Sequence, residues 1–325
     1  MESRLFNRSV EILKGEGITG YFRAIIQYLL IHYPIGDTVW HKLNYYLHPS
    51  RKIIKQVQGF EMLLDLSDKG INRDLFLRGC REPGCTKTIK RMLADGMRVI
   101  DIGANIGYYA LIEASLVGNS GKVYAFEPDP KNFELLTHNV ELNSYSNRVE
   151  LHNLAVGNYI GDSLLEVTDQ FNLHKIMLEK PGHKSKKNCI KVQMITLDHF
   201  FKNEHVDFVR MDVEGFEYYI LQGMHSILQE KKLKMFIEVH PARINDMGKS
   251  VEEMLRALAK LDFTVGFLVS KDRVPFSIRR CFFGDPLPPE TVIECNQPLE
   301  QIINSEVTRH ILLSPRAYGL FLEKT

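Results

Sequence analysis

The chain has 325 residues, of which 44% are hydrophobic and 25% charged, and its net charge at pH 7 is +1. This length can bury one large core plus an appendage, and the nearly balanced charge gives no case for nucleic acid as a partner. Five cysteines at irregular spacings predict reduced thiols, no secretory signal is recognisable, and the composition agrees with a cytoplasmic enzyme.

The first 50 residues are predicted to form helices, and residues 51–66 a β-hairpin that turns at Gln58 and Gly59. Together they make an extension over residues 1–70 that precedes one domain at 71–325. The apolar stretch from Ala24 to Tyr33 is shorter than the roughly 20 residues that a bilayer requires. We expect the helices to pack on the domain or on a second subunit, which would make a homodimer. The alternative is an interfacial helix at residues 21–40 that contacts a membrane surface.

The domain alternates strands with helices, which predicts a mostly parallel sheet covered on both faces, a doubly wound α/β fold. Strands are predicted at 98–102, 122–127, 149–155, 206–211, 234–239, 262–269 and 317–323. Helices are predicted at 86–94, 130–143 and 216–229. An extra pair of strands at 163–167 and 189–195 interrupts the alternation, joined by a loop with a basic run at 183–187 that is expected to be a solvated tip.

The most informative motif is the segment at residues 99–109, an apolar run that ends at Asp101 and continues through Gly103 and Gly107 into a helix. A strand that turns through glycines into a helix N-terminus is typical of a nucleotide-type site. Asn105 stands where the dinucleotide fingerprint requires a glycine, which argues against NAD. Asp101 would instead attract an ammonium, and backbone amides would receive a carboxylate, as in an amino-acid tail.

The next strand ends at Glu127, followed by Pro128 and Asp129. A carboxylate at the tip of the second strand accepts hydrogen bonds from ribose hydroxyls. A ribose and an amino-acid tail together fit S-adenosylmethionine. Ala155, at the carboxyl end of the third strand, is expected to border the adenine.

Two further strand ends carry acids and a histidine. The fourth strand is followed by Asp212 and Glu214, and the fifth ends in Glu238 and His240. Because ligands of open α/β sheets bind at the carboxyl ends of strands, at least one of Asp212 and Glu214 is expected to touch ligand, although helix capping also explains one acid. His240 is a candidate base, since its ordinary pKa is near neutrality; a packed histidine is the plain alternative.

These motifs resemble the FkbM family of S-adenosylmethionine-dependent methyltransferases, over roughly residues 72–241. The resemblance is carried by residues 99–108, 126–130, 196–198, 207–217 and 237–241. It implies a class I methyltransferase fold, a Rossmann-like seven-stranded sheet with an antiparallel last strand, whose core motifs lie at 95–241. It also implies O-methylation of sugars or of secondary-metabolite hydroxyls.

The resemblance also implies site roles at the matching positions. The methionine end would lie at Asp101, Gly103, Asn105 and Gly107 with the neighbouring Tyr108, the ribose at Glu127 beside Pro128, and the catalytic rim at Asp212 and Glu214. The acceptor is expected to be a small molecule or a glycan, deprotonated by a base among Asp212, Glu214 and His240. No metal is assigned. The alternatives are an N-methyltransferase of a small molecule and an NAD-dependent oxidoreductase.

Overall fold

The computed structural model describes residues 51–68, 70–168, 173–177, 188–202, 204–271, 290–299 and 318–324. The predicted N-terminal helices, the candidate membrane segment at 21–40 and the basic run at 183–187 lie outside the described residues. So does any dimer contact that the N-terminal helices would make. Within the described part of the chain, no helix combines the length and the apolar character needed to cross a bilayer.

The elements follow one another along the chain with a hairpin first and the alternating core after it. The strands are β1 Lys52–Val57, β2 Phe60–Asp65, β3 Arg98–Ile102, β4 Lys122–Phe126, β5 Val149–His152, β6 Ala155–Val156, β7 Gly161–Glu166, β8 Lys175–Met177, β9 Cys189–Ile195, β10 Phe208–Met211, β11 Lys234–Val239, β12 Phe263–Lys271, β13 Glu290–Pro298 and β14 Tyr318–Lys324. The helices are α1 Ile71–Arg78, α2 Pro83–Met92, α3 Tyr108–Val117, α4 Pro130–Leu142, α5 Leu197–Phe201, α6 Glu217–Gln222, α7 His225–Leu228, α8 Pro241–Asp246 and α9 Val251–Ala259.

The main sheet has the order β13-β12-β14-β11-β10-β3-β4-β5. Strands β5, β4, β3, β10 and β11 are parallel, whereas β14 runs antiparallel to both of its neighbours, β11 and β12. The seven-stranded Rossmann-like sheet with an antiparallel last strand, which the family resemblance implied, is therefore confirmed. Strand β13 adds an eighth strand beyond β12 that the sequence did not predict.

Apolar side chains pack on both faces of this sheet, as expected of a doubly wound fold. One face is covered by α1 to α4 and the hairpin, whose Met62, Leu64 and Leu66 are buried in the same cluster as α3. The hairpin is also tied to α4, because Asn139 accepts a hydrogen bond from the Leu63 amide and Asn143 accepts one from the Glu61 amide. The hairpin is thus an integral part of the core.

The predicted extra pair of strands is present as part of a second sheet with the order β6-β9-β7-β8, here called the small sheet. Its buried Leu165, Ile176 and Met194 belong to the cluster on the other face of the main sheet. The predicted helix at 216–229 is interrupted at Gly223. A Cβ at that position would lie 1.9 Å from the Gly157 carbonyl oxygen, so two backbones meet where a continuous helix was expected.

Candidate active site

A cleft lies at the carboxyl ends of β3, β4 and β10, where the sequence placed the ligand. Of the predicted site residues, seven line this cleft: Gly103, Asn105, Glu127, Pro128, Ala155, Asp212 and Glu214. The structure thus brings residues from three separate motifs to one cavity.

The turn after β3 is shaped by a close approach of two backbones. Gly103 has φ +78°, and a Cβ on it would lie 2.1 Å from the Asp212 carbonyl oxygen. Asn105 also adopts the left-handed region, with φ +52°, which asparagine tolerates better than most residues. The two strand ends that carry Gly103 and Asp212 are therefore packed directly on each other.

Replacing Gly103 by alanine is expected to destabilise the fold by about 2 to 4 kcal/mol, because a clash with the Asp212 carbonyl adds to an unfavourable φ. Gly248→Ala is the matched control, since Gly248 has φ +75° and no atom within 4 Å of the added Cβ. The difference between the two variants in the free energy of unfolding, measured by urea denaturation, isolates the clash. Equal losses in the two variants would contradict the close approach.

Glu127 is held at the cleft by backbone amides. Its Oε2 accepts a hydrogen bond of 2.8 Å from the Asn105 amide, and its Oε1 accepts one of 2.9 Å from the Asp129 amide. The side chain is buried, and burial raises its pKa to about 7 despite these hydrogen bonds. Each oxygen keeps a further lone pair, so the carboxylate can still accept from a diol such as that of a ribose.

The wall next to Glu127 is apolar and suits a flat, weakly polar ring such as adenine. It is formed by Phe126, Pro128, Leu154, Ala155, Val156, Leu165, Ile176 and Phe216. His174 lines the same part of the cleft, beside Glu127 and Pro128. Pro128 and Ala155 lie in this wall, as predicted, but Ala155 belongs to β6 of the small sheet, because the third strand of the main sheet ends at His152 and not at residue 155.

Three predicted cofactor-binding residues are not brought to the cleft: Asp101, Gly107 and Tyr108. Asp101 is fully buried, and its Oδ1 accepts a hydrogen bond of 2.8 Å from Arg210. Arg210 therefore neutralises the charge of Asp101 inside the protein, and Asp101 does not face the ammonium group of a ligand. The Tyr108 hydroxyl lies 3.1 Å from the Thr86 hydroxyl, and Gly107, with φ +92°, packs against Leu136 at the start of α3. These three residues support the turn after β3 without lining the cleft.

The rim of the cleft is a dense network of charges around His240. The Nδ1 of His240 lies 2.8 Å from Glu217 Oε1, and its Nε2 lies 3.1 Å from Glu214 Oε2 and 4.0 Å from Asp212 Oδ1. Burial disfavours the imidazolium, but the hydrogen bond and the charge of Glu217, with the charges of Glu214 and Glu238, outweigh it and raise the pKa of His240 to about 10. His240 is a cation at neutral pH and does not itself line the cleft.

Glu214, unlike His240, changes its charge near neutral pH. Burial and the charge of Asp212 raise its pKa to about 7, against the lowering effect of His240 and Arg243. The Arg243 guanidinium lies 2.7 Å from its Oε2. Its backbone is left-handed, with φ +55°, a conformation that is uncommon for glutamate.

Four residues of the site were not predicted from the sequence: Arg210, Glu217, Arg243 and His174. An arginine in the otherwise apolar strand β10 is a signal that could have revealed Arg210, since a buried charge needs a partner. Glu217 follows the rim acids in the sequence and supports His240 from the first turn of α6. Nothing in the local sequence pointed to Arg243 or His174.

Ligand atoms of Asp212, Glu238 and His240 lie within 4.8 Å of one another, a grouping that could hold a metal ion. The surrounding charges do not fit a cation well. His240 is protonated and positively charged, so its nitrogens cannot ligate a metal. Asp212 already pairs with a cation, because Arg210 lies 3.3 Å from it. The absence of a metal from the chemistry stays a prediction.

Comparison with known proteins gives a consistent match. The family model of the methyltransferase FkbM domain matches residues 101–265. The hexuronic acid methyltransferase AglP of Haloferax volcanii is 27% identical over 143 residues, which cover 43% of this chain and 54% of AglP. The protein-L-isoaspartate O-methyltransferase of Methanothrix thermoacetophila is 36% identical over 78 residues, 24% of this chain and 33% of that protein.

Among solved structures, the methyltransferase FkbM from Methylobacillus flagellatus is similar, with 19% identity and a TM-score of 0.39 over 54% of this chain and 40% of that chain. The chain spans about a third to a half of the length of the curated relatives that it matches.

Proposed function

The chain belongs to the FkbM methyltransferase family, whose cofactor is S-adenosylmethionine, and we propose that it transfers a methyl group from that cofactor to a hydroxyl of a sugar or another polyol. The observation that carries this proposal is Glu214, a carboxylate with a pKa of about 7 on the rim of the cleft that holds Glu127. A hydroxyl must lose its proton as it attacks a methyl carbon, and a base with a pKa near the working pH does this best.

The residues of the cleft fit the cofactor. Glu127 would hold the ribose, the apolar wall around Ala155 the adenine, and the turn at Gly103 and Asn105 the amino-acid tail. When bound, S-adenosylmethionine supplies an electrophilic methyl group at a sulfonium centre. Asp212 and Glu214 favour a positive charge at this end of the cleft.

Glu214 is the proposed base among the three candidates that the sequence left open. Its Oε1 or Oε2 takes the proton of the acceptor hydroxyl, becomes a neutral carboxyl and returns the proton to solvent. His240 is already protonated and cannot take that proton. As a cation 3.1 Å from Glu214 it keeps the carboxylate ionised, so we assign it a positioning role.

A sugar acceptor is favoured by two features. The rim offers carboxylates and the guanidinium of Arg243 close together, and such groups bind sugar hydroxyls by paired hydrogen bonds. The relative AglP is, by its name, a methyltransferase of hexuronic acid.

The proposal is tested by methyl transfer from S-adenosylmethionine with a labelled methyl group. The full chain is incubated with neutral glycosides, uronic acid glycosides, lipid-linked sugars and, as the competing class, primary amines. We expect label on a hydroxyl-bearing sugar. Label on the amines alone would replace O-methylation by N-methylation, and binding of NADH with no binding of S-adenosylmethionine in equilibrium dialysis would exclude both.

Replacing Glu127 by alanine is expected to weaken binding of S-adenosylhomocysteine about 100-fold, because two charge-assisted hydrogen bonds to the ribose are lost. Isothermal titration calorimetry measures the Kd. The control is Glu134→Ala, which removes a glutamate with a 73% exposed side chain from α4. An unchanged Kd in Glu127→Ala would separate Glu127 from the ribose.

A further inference from the structure

The adenosine half of the cleft is not built by the Rossmann-like core alone. His174, Leu165 and Ile176 line it from the small sheet, beside Glu127 and Pro128, which follow β4 of the main sheet. Two of these residues are apolar and complete the adenine wall. His174 is the polar member, and its side chain is only 6% exposed.

His174 joins the two halves of this pocket. Its Nδ1 lies 3.3 Å from Asp129 Oδ2, and its Nε2 lies 3.2 Å from the Thr168 carbonyl oxygen. Asp129 follows Glu127 by two residues and caps α4, with Oδ1 accepting from the amides of Lys131 and Asn132. Thr168 follows β7, so one imidazole bridges the small sheet and the loop at 127–129, here called the ribose loop.

The contacts of His174 favour its cationic form. Nε2 faces a carbonyl oxygen, and Nδ1 lies near a carboxylate oxygen in a contact of charges that lacks the geometry of a hydrogen bond. Burial opposes this charge, but the contact with Asp129 and the charge of Glu127 raise the pKa of His174, and the same contact lowers the pKa of Asp129. The protonated form of His174 therefore makes an ion pair with Asp129 in a nearly dry position, where such a pair is stronger than at the surface.

We propose that His174 is a positioning residue for the cofactor, which fixes the ribose loop to the small sheet and so closes the adenosine half of the cleft. This inference rests on the proposed function, because it takes the cleft to be the S-adenosylmethionine site. It predicts that His174 governs the affinity for adenosine compounds and leaves the methyl-transfer step unchanged. The sequence offers no local motif for such a residue.

The test measures the Kd of S-adenosylhomocysteine for the full chain by calorimetry. We expect His174→Ala to raise this Kd about tenfold, because the ribose loop loses its contact with the small sheet. His205→Ala is the matched control: His205 also pairs with two carboxylates, those of Asp207 and Glu230, but it precedes β10, at the other end of the strands. The Kd of S-adenosylhomocysteine for His205→Ala should equal that for the unaltered chain.

Three readouts separate positioning of the cofactor from a merely structural role. The Kd of 5′-methylthioadenosine, which lacks the amino-acid tail, should rise by the same factor. In methyl transfer, KM for S-adenosylmethionine should rise while kcat stays constant. Asp129→Asn, which keeps the helix cap and removes the charge, should weaken binding, and the double variant Asp129→Asn/His174→Ala should be no weaker than His174→Ala alone.

His174→Gln is measured in parallel, because it retains one donor and approximates the side-chain size if the alanine variant does not fold. A Kd between those of the unaltered chain and His174→Ala supports the proposal. Binding of S-adenosylhomocysteine by the unaltered chain with the same Kd in the folded His174 variants would overturn it. No binding by the unaltered chain would overturn the proposed function itself.

Discussion

Glu214→Gln is expected to lower kcat by about 10²- to 10⁴-fold, the usual contribution of a general base, with a change of less than about threefold in the Kd of S-adenosylhomocysteine. Glutamine preserves the shape of the side chain and cannot accept the proton. The measurement is labelled methyl transfer to the acceptor that the transfer screen identifies.

The pH dependence of the activity is a second test of Glu214 as the base. A base must be deprotonated to act, so the activity of the unaltered chain should fall as pH decreases through about 7, the pKa of Glu214. With S-adenosylmethionine at saturation, so that protonation of Glu127 does not limit binding, this acidic limb should be absent from kcat in Glu214→Gln. Retention of the limb at the same pH in that variant would assign the proton transfer to another group.

His240→Gln distinguishes the two candidates at the rim. Without the nearby imidazolium, the pKa of Glu214 should rise, because burial and Asp212 both favour its neutral form. The limb should then move to higher pH and turnover at pH 7 should fall, with little change in cofactor binding. Unchanged turnover would remove His240 from the mechanism, and loss of the limb would make His240 the base.

Arg210→Met is expected to cost about 3 to 5 kcal/mol in the free energy of unfolding, since it leaves a fully buried carboxylate without its partner. Arg210 also lies 3.9 Å from the centre of the Tyr109 ring and pairs with Asp212. Urea denaturation with a fluorescence or circular dichroism readout measures the loss.

The double variant Asp101→Asn/Arg210→Met is the control for this prediction. It removes the buried charge together with its partner, so it should recover much of the lost stability. Burial already raises the pKa of Asp101, and removal of Arg210 raises it further. In Arg210→Met alone, stability should therefore decrease as pH rises above the ordinary pKa of an aspartate, because the unfolded chain releases that proton first. A deficit that is independent of pH, or a double variant no better than the single, would contradict this account.

The sequence was sufficient for elements whose signal is local. Strand β3 begins and ends where the apolar run at 98–102 predicted, and the cleft contains Gly103, Asn105 and Glu127 because a turn after one strand and an acid after the next are fixed by short motifs. The place of Asp212 and Glu214 on the same rim followed from the usual strand order of such sheets.

The sequence was insufficient wherever a partner is distant along the chain. Asp101 was expected to face the ligand, but the register of β3 and β10 sets Arg210 directly opposite it, 109 residues further on. His240 was a candidate base on its ordinary pKa, which Glu217 and Glu214 change. His174 directly precedes β8, a strand of three residues that is too short to carry a period-2 signal.

The position of β14 has a consequence for how the protein is made. Residues 318–324 form β14, which lies between β11 and β12 in the sheet. Until these residues have been synthesised, the edge of β12 that faces the centre of the sheet has no strand to pair with. A ribosome-bound chain that has emerged as far as residue 299 therefore exposes two open strand edges, on β11 and on β12, together with the apolar side chains Phe236 and Val265 next to them. Closure of the sheet must follow translation of β14, and premature termination before residue 318 should yield an aggregation-prone product instead of a smaller enzyme.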